Sequence, residues 1–103
     1  MTTGLTEEIR RRGIPPLYAQ ENATDPVVYL EMSVPVCGWR WFVTECEIQH
    51  AAGDILFFGY VRGFVDEWGY FRLSELEAVR GVVLVDYDFK PLPFSELNKA
   101  RDL

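Results

Sequence analysis

Cys46 and His50 stand four residues apart in the segment Glu45-Cys46-Glu47-Ile48-Gln49-His50, the nearest this chain comes to a reaction centre. A thiol beside an imidazole is the pair that nucleophilic catalysis needs, the base drawing the proton from sulfur. With Cys37 and a neighbouring glutamate the same residues would offer a metal thiolate, imidazole and carboxylate ligands. Neither pattern is complete. A structural zinc site takes four ligands and no second ligand pair follows, and His50 is the chain's one histidine, with nothing around it in sequence to orient the ring. A buried structural cysteine and a solvated histidine account for both residues. No catalytic residue, metal or cofactor is expected.

Carboxylates come in pairs: Glu45 with Glu47, Asp66 with Glu67, Glu75 with Glu77, Asp86 with Asp88. Residues two apart on a strand share a face, so Glu45/Glu47 and Asp86/Asp88 could set two acids side by side. Hydrolytic or phosphoryl chemistry wants such a pair inside a cleft, and 103 residues leave little material for one. Acids on a solvated face explain the pairs. Gly59, Gly63 and Gly69 lack the Lys-Ser/Thr that follows a phosphate-binding loop.

Two features remain. Trp39, Trp41, Trp68 and Tyr70 form an aromatic set, and Asp54, Asp66, Glu67, Glu75 and Glu77 border it in sequence. Tryptophan and tyrosine are favoured interface anchors, and an acidic surround suits a basic partner surface. The expected partner-binding residues are Trp39, Trp41, Asp66, Glu67, Trp68, Tyr70, Glu75 and Glu77. The alternative is a small ligand-binding domain or minor enzyme with an apolar pocket on the sheet, using Glu45, His50 or Tyr70 as its polar groups.

The bulk composition fits this reading. Apolar residues are 49% of the chain, aromatics 15% and charged residues 25%, a globular composition with room for one domain, residues 1–103, around one core. The formal net charge is −6, and no basic stripe extends beyond Arg10-Arg11-Arg12, so direct nucleic-acid binding is not expected. If residues 39–46 form one strand, Cys37 and Cys46 lie about 30 Å apart, beyond disulfide reach. The first residues have no apolar leader pattern and no run approaches membrane-spanning length, so a cytoplasmic protein with no membrane partner is expected.

The elements that must position these residues read as α+β: a small antiparallel sheet of four to five strands with short flanking helices. A helix is predicted over 5–13, with Thr6 as N-cap, the arginines in the last turn, Gly13 as stop, and Leu5 and Ile9 inward. The prolines at 15 and 16 call for extended chain. A strand follows over 27–34 with its even residues inward, then a second over 39–48, with Trp39, Trp41 and Val43 on one face and Arg40, Phe42, Thr44 and Cys46 on the other. The third strand, 55–64, carries Gly59 and Gly63, as at a bulge or a close backbone approach. Asp66-Glu67-Trp68-Gly69 is expected as a turn and 70–73 as a fourth strand. Ser74-Glu75-Leu76-Glu77 matches a capping box for a short helix that buries Leu76 and Val79 and stops at Gly81. A fifth strand over 82–88 and a final helix from Ser95 complete the chain, with no internal repeat evident.

In order, the motifs IPPLYAQENATDPVVYL, WRWFVTE, FFGYVRGF, GYFRLSELEAVRG and FKPLPFSEL resemble the DUF2958 family, a domain of unknown function, over nearly the whole chain. Around Val82–Asp88 the chain departs from that family's pattern, in which a proline-containing stretch and a basic–acidic pair are usual. The resemblance implies a small intracellular protein of a bacterial mobile element, plasmid or phage, and brings no catalytic or cofactor residues. Small size, acidity and that association together suggest a non-enzymatic interaction module. One version is an inhibitor of a nucleic-acid-binding defence enzyme, an anti-CRISPR or antirestriction factor.

Overall fold

The computed structural model describes residues 2–78 and 83–101. The expected helix stop at Gly81, the inward Val79 and the start of the fifth strand at Val82 lie outside the described residues.

Five strands form one antiparallel sheet in the order β5-β4-β3-β2-β6: β2 is Leu30–Val34, β3 Trp39–Gln49, β4 Asp54–Arg62, β5 Asp66–Arg72 and β6 Leu84–Val85. Two short strands, β1 at Val27–Val28 and β7 at Leu92–Pro93, pair separately. Three helices complete the set: α1 at Thr2–Arg12, α2 at Leu73–Ala78 and α3 at Phe94–Arg101. The chain is α+β with short helices, as its pattern of elements predicts. No helix among the described residues is long and apolar enough to cross a membrane.

Strand β3 lies at the centre and is packed on both faces, as its mixed alternation implies. Trp41 and Val43 join Leu5, Ile9, Leu30, Met32, Ile55, Phe57 and Phe71 in the larger core. On the opposite face Phe42 packs with Val28, Phe89 and Leu97 in a smaller one. Cys46 does not continue the Phe42 face. The β3–β4 register shifts between Val43 and Glu45, leaving Thr44 as the extra residue of a bulge. Beyond it Cys46 and Ile48 face the larger core, and Glu45 turns to the other side. The apolar pattern requires this change of phase, because regular alternation would push Glu45 and Glu47 into the core beside Trp41.

Gly59 pairs with Val43 at the bulge, where a Cβ would lie 1.9 Å from the Phe42 carbonyl oxygen. Gly63 packs under the Trp39 ring, 2.6 Å from where its Cβ would be. Both are close approaches that only glycine allows.

Several boundaries differ from expectation. Helix α1 begins four residues before Thr6, so Thr6 lies inside it and Glu8 pairs with Arg11 and Arg12. Leu5 and Ile9 are buried, and Gly13 ends the helix at φ +67°. The 27–34 run splits at Tyr29, whose N–H bonds the Val43 carbonyl at 2.8 Å, although its even residues are all fully buried. The hairpin turns at residues 63–65, so Asp66 to Gly69 are strand. Cross-strand aromatic pairs, Tyr60 on Trp68 and Phe58 on Tyr70, lengthen the hairpin. At α2 the capping box sits two residues early: Glu75 accepts the Arg72 N–H at 2.9 Å. Ser74 instead gives its N–H and hydroxyl to Asp54, at 3.1 and 2.6 Å.

Candidate functional site

A groove of about 670 Å³ opens on the sheet face opposite the larger core. Its floor is aromatic. Trp68 packs on Phe58 at 6.2 Å between ring centroids, on Tyr60 at 5.4 Å and on Phe94 of α3 at 4.9 Å. Tyr70 meets Phe58 edge-on at 4.9 Å. Strand alternation sets this arrangement: Phe58 and Tyr60 on β4 and Trp68 and Tyr70 on β5 all point to one side.

The opposite wall is the irregular segment 17–26, and one side chain organises it. Glu45, 3% exposed, accepts the Tyr18 N–H at 2.8 Å and the Gln20 N–H at 2.7 Å, one on each carboxylate oxygen. Gln20 then fastens the segment to the sheet. Its amide nitrogen donates to the carbonyls of Val27 and Thr44, and its amide oxygen accepts the Val27 N–H. Tyr18 is held at φ +73°, a conformation costly for a bulky residue and stabilised here by the Glu45 bond. At the far end Asp25 accepts the N–H and hydroxyl of Ser95 at 2.9 and 2.6 Å, fixing the start of α3. These bonds hold the Asp25 carboxyl below its usual range.

Glu21, Asp25 and Glu45 all line the groove, and none of its lining residues is basic. The Tyr70 phenol is pushed above its ordinary value, first by a hydrogen bond with the Tyr18 side chain, then by burial and the negative field of Tyr18, Glu45 and Glu21. Of these causes, the charges of Glu45 and Glu21 also favour a cation in the same place, whereas burial opposes an ion of either sign. Aromatic faces add to that preference, since their quadrupoles attract ammonium and guanidinium groups.

The expected partner-binding residues do not form one patch. Trp68 and Tyr70 lie in the groove, 39% and 51% exposed. Trp41 is 3% exposed and belongs to the larger core, and it meets the surface only at the hollow it lines on that side of the sheet. Trp39 is half-buried against that core and meets Phe64 edge-on at 5.2 Å. A smaller hollow there, about 330 Å³, brings Trp39 and Trp41 together with Glu67, Tyr70 and Glu75, across the sheet from Trp68. Asp66 and Glu77 are exposed. Tyr18, Gln20, Phe58 and Phe94 were not singled out by sequence. The signal within reach was the phase change in WRWFVTECEI, which turns Glu45 toward Phe58.

The reactive pair is not assembled as a catalytic unit. Cys46 faces the core, its thiol pushed up to about 12 by burial, while His50 is exposed on a 3₁₀ turn at His50–Ala52. Both cysteines are free. Among the described residues no cluster of His, Cys, Asp and Glu could hold a metal ion.

Fold and site together define an antiparallel α+β domain with an aromatic–acidic cleft on one sheet face. No family model matches the chain, and neither a curated protein nor a solved structure does.

Proposed function

We propose that this chain is a non-enzymatic protein-interaction module whose groove receives a Lys or Arg side chain from a basic partner surface. The observation that carries the reading is the groove's lining: five aromatic rings and three carboxylates without a basic residue. A cation entering it meets ring faces and acids in a partly desolvated setting, where a cation–π contact contributes roughly 0.5–2 kcal/mol. The net charge of −6 adds long-range attraction to a basic surface and to association rate. In the form the DUF2958 resemblance suggests, the protein is cytoplasmic, belongs to a mobile element and occupies the basic groove of a nucleic-acid-binding defence enzyme.

Titration with an arginine-rich peptide, followed by tryptophan fluorescence, tests the binding step. Trp68→Ala should weaken the interaction about 2- to 30-fold, and added salt should weaken it further. Absence of binding at low salt, or equal binding by W68A, would sink the proposal. For the inhibitor form, a phage-plating assay in which expression leaves host defence unchanged is decisive. A second reading, a small cationic ligand, is favoured by the groove's volume, which lies in the range of small-molecule sites. Saturable binding of tetramethylammonium without binding of the basic peptide would select it.

A further inference from the structure

Strand β5 ends the five-stranded sheet, and its outer edge has no strand neighbour among the described residues. Every second residue there turns its N–H and C=O outward, a template for another strand. Natural edges are commonly blunted by proline, by lysine or by a bulge. Asp66-Glu67-Trp68-Gly69-Tyr70-Phe71-Arg72 has none of these, its pairing with β4 runs without a register shift, and its charges, Asp66, Glu67 and Arg72, sit toward the strand ends and leave Trp68-Gly69-Tyr70-Phe71 uncharged. The sheet's other edge strand, β6, spans only two residues.

The order of residue types along β5 is self-complementary about Gly69. Turned antiparallel on that residue, a second copy sets Asp66 opposite the partner's Arg72 and Trp68 opposite the partner's Tyr70, while Glu67 falls opposite the partner's Phe71, which is turned into its own core and leaves the carboxylate in solvent. The two-fold axis repeats both pairs. Opposite charges and aromatic pairs are the cross-strand combinations that stabilise sheets. A parallel alignment in register would bring Asp66 onto the partner's Asp66. The axis itself is uncrowded, since a Cβ on Gly69 would meet nothing within 4 Å.

The end charges are only loosely held. Among the described residues Asp66 has a long, exposed ion pair with Arg62 at 3.9 Å. Arg72 bonds the Gln49 amide oxygen on β3 and lies in the field of Asp54, so its guanidinium must turn outward, exchanging a neutral acceptor for a carboxylate, to meet the partner's Asp66. The same register explains the hairpin tip. Phe64 and Val65 are 94% and 68% exposed, and pairing about Gly69 carries them toward the first turn of the partner's α2.

We infer that β5 pairs with β5 of a second copy, antiparallel about Gly69, joining the two sheets into one. The axis stands perpendicular to the sheet, so both aromatic–acidic grooves open on the same face, side by side. A partner carrying two basic side chains then engages both at once. The pairing rests on the edge strand alone and does not depend on what the grooves bind.

Sedimentation of the full chain up to about 1 mM, the range of a small transient contact, tests it. The wild type should pass from monomer to dimer. D66R and R72D should each weaken self-association at least about tenfold, by setting like charges opposite each other. An equimolar mixture of the two variants should restore it, because the mixed pair again has opposite charges at both ends. Circular dichroism checks that each variant is folded. If R72D fails to fold, G69C in a C37S background gives an independent test. Facing Cα atoms about 4.5–5.5 Å apart permit a disulfide, so mild oxidation should yield a covalent dimer. A wild type that stays monomeric overturns the inference. So does a dimer indifferent to the swaps, a mixture that does not recover, or failure of G69C to cross-link, each of which would place the contact elsewhere.

Discussion

Glu45 is the side chain on which the groove most depends, and replacing it gives a measurable cost. Its two oxygens accept the N–H groups of Tyr18 and Gln20 at 2.8 and 2.7 Å, from a position 3% exposed. Hydrogen bonds to a charged acceptor contribute roughly 1.5–3 kcal/mol each. The two donors sit on a segment that can regain water when released, so the low end applies, about 3 kcal/mol for the pair. Two terms oppose this loss. Tyr18 can leave its left-handed conformation, returning about 1 kcal/mol, and screened repulsion from Glu21, which lines the same groove, is relieved by a few tenths at most. Glu45→Ala should therefore destabilise the fold by about 2 kcal/mol. Glu45→Gln should cost about half as much, because one acceptor remains while the amide NH₂ faces the second donor. Urea unfolding measures the stability, and hydrogen exchange at the Tyr18 and Gln20 amides reports the segment directly. Both variants falling within about 0.5 kcal/mol of wild type, with those amides still protected, would refute the reasoning.

Gly59→Ala should prevent folding or cost about 3 kcal/mol or more, since the clash is with strand backbone. Gly69→Ala, in open space, should stay within about 0.5 kcal/mol of wild type, and thermal melts of the two variants check both outcomes. Arg12 is almost fully buried and bonds Glu8 and the carbonyls of Tyr29, Tyr87 and Phe89. Arg12→Ala should cost about 2–4 kcal/mol by denaturation, and Arg12→Lys should recover little, because an ammonium lacks the planar fork. The Asp25 and Asp54 carboxyls are held below their ordinary values, chiefly by the hydroxyls of Ser95 and Ser74. Their contribution is therefore full above the unfolded carboxylate value of about 3.9 and is lost as pH falls through the lower folded values. D25N and D54N should each flatten the acid limb of the stability–pH curve, and an unchanged limb would contradict the assignment.

How far the fold was legible follows from which signals are local. Leu5 and Ile9 share a helix face through their spacing, and Val28, Leu30, Met32 and Val34 alternate cleanly, so their burial could be read directly. Gly69 looks like a turn residue, yet the turn falls at 63–65, because its position rests on cross-strand partners, Trp68 with Tyr60 and Tyr70 with Phe58. The bulge announced itself as a break in alternation, but its consequence for Glu45 depended on what stood opposite. Glu31 shows the same limit. It sits at an odd, polar position that suggested solvent, yet it is 3% exposed and clamped by Arg40 at 2.5 Å and Arg101 at 2.7 Å. Its partner Arg101 is seventy residues away in the chain, and no local pattern reveals such a pairing. The groove was hidden for that reason: its wall, floor and end come from segments that meet only on folding.

The two capped helices show how that meeting is enforced. α2 opens on Leu73-Ser74-Glu75-Leu76 and α3 on Phe94-Ser95-Glu96-Leu97, and in each an aspartate from another segment takes the serine N–H and hydroxyl. The first N–H groups of a helix need an acceptor from outside the helix. Drawing it from another segment makes the cap a tertiary lock, fixing the start of α2 to β4 through Asp54 and the start of α3 to the irregular segment 17–26 through Asp25. In both the second apolar residue, Leu76 or Leu97, is buried to 2%. The difference lies at the first. Leu73 is 1% exposed in the larger core, but Phe94 is half-buried and reaches Tyr60 and Trp68, each at 4.9 Å. Asp25 also ends the segment that Glu45 and Gln20 fasten down. One short device thus closes a core when it carries leucine and walls a groove when it carries phenylalanine, so the cleft's end wall is tied down by hydrogen bonds without lying inside the larger core.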